Sequence, residues 1–62
     1  MKAGERYESF GQVYQVVKIA RNQRDIRICR VIIDRFAEKE MLVEERCVHV
    51  SFLGHMRLSA TN

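Results

Sequence analysis

The chain has 62 residues, 47% of them hydrophobic and 31% charged, with a formal net charge of +3. That length leaves room for a single domain, 1–62, which buries only about 60% of the surface its unfolded chain exposes; the apolar content excludes a disordered chain. The polar start Met1-Lys2-Ala3-Gly4-Glu5-Arg6 lacks a leader core, and the longest apolar runs, such as Val31-Ile32-Ile33, fall far short of the roughly 20 residues of a membrane span. The expectation is a cytoplasmic protein without a membrane segment, in which Cys29 and Cys47 stay reduced.

There is no proline, and the three glycines, Gly4, Gly11 and Gly54, leave 12–53 without a breaker. Val13, Tyr14, Val16, Val17 and Ile19 form one β-branched and aromatic cluster, and Ile26, Ile28, Val31, Ile32 and Ile33 a second. Polar residues at 21–25 separate them, which predicts a hairpin with strands near 12–20 and 26–34. Each strand changes parity: Tyr14 and Val16 give way to Val17 and Ile19, and Ile26 and Ile28 to Cys29, Val31 and Ile33. Either both faces are covered or a bulge bends the strand, and strong bending is what a small barrel requires. A helix is disfavoured, because the stripe Val13, Val17, Ala20 runs into Arg24 and Arg27, and Val16, Ile19 into Gln23 and Arg30.

Residues 35–46 are rich in helix formers, and Asp34 suits an N-cap. Phe36, Val43 and Cys47 align, but Glu40 and Glu44 crowd the same side and Leu42 points elsewhere. A charged turn at 35–40 followed by a strand from Met41 is preferred. Val48, Val50 and Phe52 then alternate with Cys47, His49 and Ser51 as a strand over 47–53. Gly54 permits a turn, Met56 and Leu58 suit a short closing strand, and 59–62 are expected to fray. The fold class is therefore mainly β, a small strongly bent antiparallel sheet or barrel; the alternative is α+β with one helix near 35–46.

Four constellations bear on function. Lys18, Arg21, Arg24, Arg27 and Arg30 recur every third residue, a period that fits neither one helix face nor one strand face. Arg21, Arg24 and Arg27 can nevertheless cluster at the hairpin tip, and guanidinium groups bind phosphates bidentately. Cys29, Cys47, His49 and His55 are metal-ligand types but lack the close cysteine pair of structural zinc sites, so Cys29 reads as a buried apolar residue and the histidines as surface groups. Ser51, His49 and Asp34 are present without an oxyanion loop, so no catalytic residue is assigned. Tyr7, Phe10 and Tyr14 can stack on a ligand, but Phe10 and Tyr14 read as core filling. Glu38, Glu40, Glu44 and Glu45 make an acidic patch that can complement the basic hairpin.

The segments Gly4-Glu5-Arg6-Tyr7 and Gly11-Gln12-Val13-Tyr14-Gln15-Val16 resemble the first two strands of Src-homology-3-like or Tudor-like small barrels, and Val48-His49-Val50-Ser51-Phe52-Leu53 is similar to the segment where such chains end on a strand and tight turn. Short bacterial and phage-encoded proteins often have this form. The resemblance implies a binding module for nucleic acid or protein and transfers no site residue. Residues 35–46 depart from the pattern.

These readings converge on a small non-enzymatic binding module, without cofactor, metal or small-molecule substrate. The leading partner is nucleic acid, bound by Arg21, Arg24 and Arg27 with Lys18 and Arg30 in support. The alternative is a protein-interaction or homodimerisation module using an edge strand or the Met41, Leu42 and Val43 patch.

Overall fold

The computed structural model describes residues 1–59. Five strands, β1 (Arg6–Ser9), β2 (Gln12–Ile19), β3 (Asp25–Asp34), β4 (Lys39–His49) and β5 (Arg57–Leu58), form one antiparallel sheet in the order β4-β3-β2-β1-β5. The sheet is not closed, because β4 and β5 remain separate edges. The expected hairpin is present, with its strands shifted by a single residue. Residues 35–46 take the strand alternative: a turn at 35–38, then β4. The helix fails there because its polar and apolar residues match an edge strand with two partly exposed faces better than a helical stripe.

The two parity changes have different causes. In β2 the register slips between Val16 and Lys18, so Val17 is an extra residue. This bulge returns Ile19 to the face of Val16, where it lies opposite Ile26 while Val16 lies opposite Ile28. β3 instead has both faces covered: the consecutive residues Ile28 and Cys29 are 0% and 2% exposed. A second bulge lies in β4, where Glu44 and Glu45 oppose Cys29 and Glu44 takes a φ of 57°.

On one face Val16, Ile26, Ile28 and Leu53 form the core, flanked by Tyr7, Tyr14, Ile19, Val48, Val50, Phe52 and Met56. The expected strand over 47–53 is corrected here: β4 stops at His49, and Val50–Leu53 is a 3₁₀ turn. His49 Nδ1 accepts a hydrogen bond from the Ser51 backbone N–H at its start, and the turn folds Leu53 and Phe52 over the sheet. A further strand residue pair would have left the core open on that side. The Phe52 ring meets Tyr14 edge-on at 5.5 Å, and the Arg46 guanidinium lies 5.0 Å from its centre. Ser59 is buried and donates its backbone N–H to the Arg6 carbonyl at 2.8 Å; the rest of the segment expected to fray at 59–62 lies outside the described residues.

The opposite face is concave. Arg6 on β1 pairs with Glu40 on β4, although β2 and β3 lie between them. Three strand spacings amount to about 14 Å in a flat sheet, so this ion pair requires the sheet to roll. Beneath it, Arg6 Nε donates to Gln15 Oε1 at 3.0 Å, and Cys29 Sγ donates to the Gln15 carbonyl at 3.9 Å. Burial pushes the Cys29 thiol above its ordinary range; Glu45 adds to the rise and Arg6 opposes it. Burial likewise raises the Tyr7 phenol, helped by the charge of Glu5 and by the hydrogen bond to it.

Both shifts favour the protonated group in the folded state, so their stabilisation is complete below the ordinary thiol value of about 8.5 and is lost as pH rises through the thiol and phenol ranges. The urea midpoint is accordingly expected to fall between neutral pH and about pH 10, less steeply in Cys29→Ala. Ile28→Ala is expected to cost about 2–5 kcal/mol, most of what a chain of this length holds at about 0.05–0.15 kcal/mol per residue. Circular dichroism in a urea titration reads both.

Candidate nucleic-acid interface

Because the strands are antiparallel, the β2–β3 turn lies at one end of the sheet, and the β1–β2 and β3–β4 turns lie at the other. The molecule is elongated, 39 × 18 × 17 Å, so the two ends are well separated.

The β2–β3 turn spans 20–24 and is built around Asn22. Its Oδ1 accepts the backbone N–H groups of Arg24 and Asp25 at 2.8 and 3.1 Å, and its Nδ2 donates to Asp25 Oδ2 at 3.0 Å. Gln23 takes the left-handed conformation, φ 59°, and Ala20 N–H closes the turn on the Asp25 carbonyl. The Arg24 carbonyl accepts the Val50 N–H at 2.7 Å, which ties the turn to the 3₁₀ segment. These bonds hold the cationic residues on a fixed backbone.

Four of the five sequence-predicted cations meet at this end. Lys18 and Arg27 are directly opposed across β2 and β3, on the concave face. Together with Arg21 they line a groove of about 370 Å³, where Ile19, Ala20 and Ile26 add apolar surface. Arg24 projects from the turn and is exposed. Lys18, Arg21 and Arg24 have no ion-pair partner among the described residues, whereas Arg27 Nη2 lies 3.2 Å from Glu45 Oε2, with both side chains half-exposed. Asp25 also lines the groove, its carboxylate engaged by Asn22.

Arg30, expected in support of the turn cations, is not brought together with them. It lies on the core face, opposite Tyr14 and Val43, where Nη2 lies 3.1 Å from Glu44 Oε1. Three residues along one strand reverse the face, and no bulge in β3 restores it. The acidic residues therefore complement the basic ones within the molecule: Glu40 pairs with Arg6, Glu44 with Arg30 and Glu45 with Arg27.

Met41, Leu42 and Val43 lie on edge strand β4 but do not form one patch. Met41 and Val43 share the core face with Ile32 and Arg30, Leu42 takes the other face opposite Val31, and only Met41 and Leu42 are exposed. Phe10, read from the sequence as core, is fully exposed in the two-residue β1–β2 turn. Its φ of 51° and the 77° of Gly11 define a turn with two left-handed residues, which throws the ring outward. Tyr14 and Tyr7 do pack against the core. Sequence reasoning also missed Phe36, fully exposed in the 35–38 turn; an apolar residue inside a charged turn was the available signal.

His49 Nδ1 and Ser51 Oγ are 3.0 Å apart within the 3₁₀ cap, while Asp34 is at the other end of the sheet, accepting the N–H groups of Phe36 and Ala37. Cys29 is buried, and Cys47, His49 and His55 are exposed. Among the described residues no group of three or more His, Cys, Asp and Glu is placed to hold a metal ion, and no helix is long and apolar enough to cross a membrane.

Comparison with protein-family models, with curated proteins and with solved structures gave no match.

Asn22→Ala removes the acceptor of two backbone N–H groups and is expected to lower stability by about 1 kcal/mol, the net value of an exposed hydrogen-bonded turn contact. Urea denaturation measures the loss, and faster amide exchange at Arg24 and Asp25 locates it.

Proposed function

We propose that this chain is a small binding module for nucleic acid, acting through the end of the sheet that carries Lys18, Arg21, Arg24 and Arg27. The observation that carries the reading is the arrangement of Lys18, Arg21 and Arg27 around one groove, with Lys18 and Arg21 lacking an acidic partner among the described residues. Phosphates supply the missing counter-charge, and arginine matches their geometry with paired N–H donors. The turn is short and internally bonded, so the backbone that carries the cations loses little order on binding. The resemblance of the N-terminal segments to Src-homology-3-like and Tudor-like barrels supports a binding rather than a catalytic role.

The proposal makes the interaction electrostatic. With four phosphate contacts, the logarithm of the association constant for duplex DNA is expected to fall with the logarithm of salt at a slope of about −3 to −4, from about 0.9 per contact. Arg21→Glu or Arg24→Glu is expected to weaken binding by about tenfold or more, with a shallower slope. Arg35→Glu makes the same charge change in the turn at the other end and is expected to have much less effect. Fluorescence anisotropy with labelled duplex and single-stranded oligonucleotides reads these constants. Absent or salt-insensitive binding to both, or equal loss in the Arg21 and Arg35 variants, overturns the proposal.

A further inference from the structure

Lys18 and Arg27 stand directly opposite one another across β2 and β3, two like charges in one cross-strand pair. Such a pair is destabilising unless a third group neutralises it. The bulge at Val17 creates it: counted on from Val16 opposite Ile28 without a bulge, Val17 would face Arg27 instead.

The third group comes from β4, on the other side of β3. Cys47 opposes Arg27, and Glu45 lies two residues further back on the same face of the sheet, in the bulge that opposes Cys29. From there its carboxylate reaches diagonally to Arg27, with Oε2 3.2 Å from Nη2 and both side chains half-exposed. The next residue, Glu44, is committed elsewhere, to Arg30 on the core face. Arg27 therefore already holds an oxyanion, and a carboxylate presents a guanidinium with the same kind of acceptor as a phosphate. The remaining cations of this end differ, because Lys18, Arg21 and Arg24 have no ion-pair partner among the described residues.

A phosphate that binds at Arg27 must displace this carboxylate. The exchange is feasible, because an exposed ion pair is weak. It carries a cost that contacts at Lys18, Arg21 and Arg24 do not, because the released carboxylate stays within a Debye length of the arriving phosphate.

We infer that Glu45 is an internal competitor for phosphate at Arg27. In the free protein it neutralises the Lys18–Arg27 pair, and on binding it gives way, so that it holds affinity below what the four cations can reach. The role assigned to Glu45 rests on the nucleic-acid reading of this end of the sheet.

Fluorescence anisotropy with a labelled duplex oligonucleotide, comparing Glu45→Gln with Glu44→Gln, tests it. Each variant removes one negative charge from the same bulge, and only the first releases a cation that lines the groove. Glu45→Gln is expected to bind about two- to fivefold more tightly than Glu44→Gln and than wild type, the range that an exposed ion pair allows. In an Arg27→Ala background the difference between the two glutamine variants is expected to vanish. A second readout needs no nucleic acid: at matched ionic strength, inorganic phosphate is expected to raise the melting temperature of Glu45→Gln more than that of wild type, by circular dichroism. Equal affinities of the two variants, a difference that persists without Arg27, or an equal effect of phosphate on wild type and Glu45→Gln overturns the inference and leaves the nucleic-acid reading in place. Absence of binding by wild type and Glu45→Gln alike overturns both.

Discussion

Ile28 and Cys29 are consecutive residues of one strand, they point to opposite faces of the sheet, and both are buried. A single sheet of five strands has no second layer to cover two faces. The protein meets this requirement by bending. The bulge at Val17 turns β2, and the bulge at Glu44 and Glu45 turns β4 around the same central strand. One face of β3 is then capped by the 3₁₀ turn with Leu53 and Phe52, and the other is roofed by Arg6 as it reaches Glu40. Burial of the thiol and the rise of its pKa follow from this closure.

The same bending sorts the charges. A roll that brings β1 toward β4 engages Glu40 with Arg6, while the hairpin engages Glu44 and Glu45 with Arg30 and Arg27. Exposed ion pairs of this kind contribute little to stability, about 0.2–1 kcal/mol each. Their larger consequence is distributional: the acidic residues are occupied along β4, and the net positive charge becomes concentrated around the β2–β3 turn. Of the chain's formal charge of +3, Lys18, Arg21, Arg24 and Arg27 set against Asp25 and Glu45 place most at one end of a 39 Å body, which gives the field a direction.

The two ends are thus chemically distinct. One is cationic, with a rigid turn tied to the core by the Arg24 carbonyl; the other is apolar, with two phenylalanines on turns that cannot fold back onto the sheet. The core lies toward the cationic end because the chain spends its C-terminal segment covering that half. Nothing among the described residues covers the other half, and the long β3–β4 arm projects beyond its neighbours.

The β-branched clusters and the polar interval at 21–25 determined the β2–β3 hairpin by themselves, and the parity changes announced that the strands could not be flat. The period of the basic residues was equally plain, but a spacing of three places successive residues of a strand on alternating faces. Tertiary structure decided how that resolved: the bulge at Val17 and the turn around Asn22 gather Lys18, Arg21, Arg24 and Arg27, whereas Arg30, beyond the reach of either, falls to the opposite face. The choice of strand over helix for 39–49 was likewise tertiary, because an 11-residue segment with weak periodicity takes the structure offered by the free edge of β3. Exposure of Phe10 could not be read from composition. An aromatic beside a glycine is equally compatible with core and turn, and only the closing of β1 on β2 with two left-handed residues sends its ring into solvent.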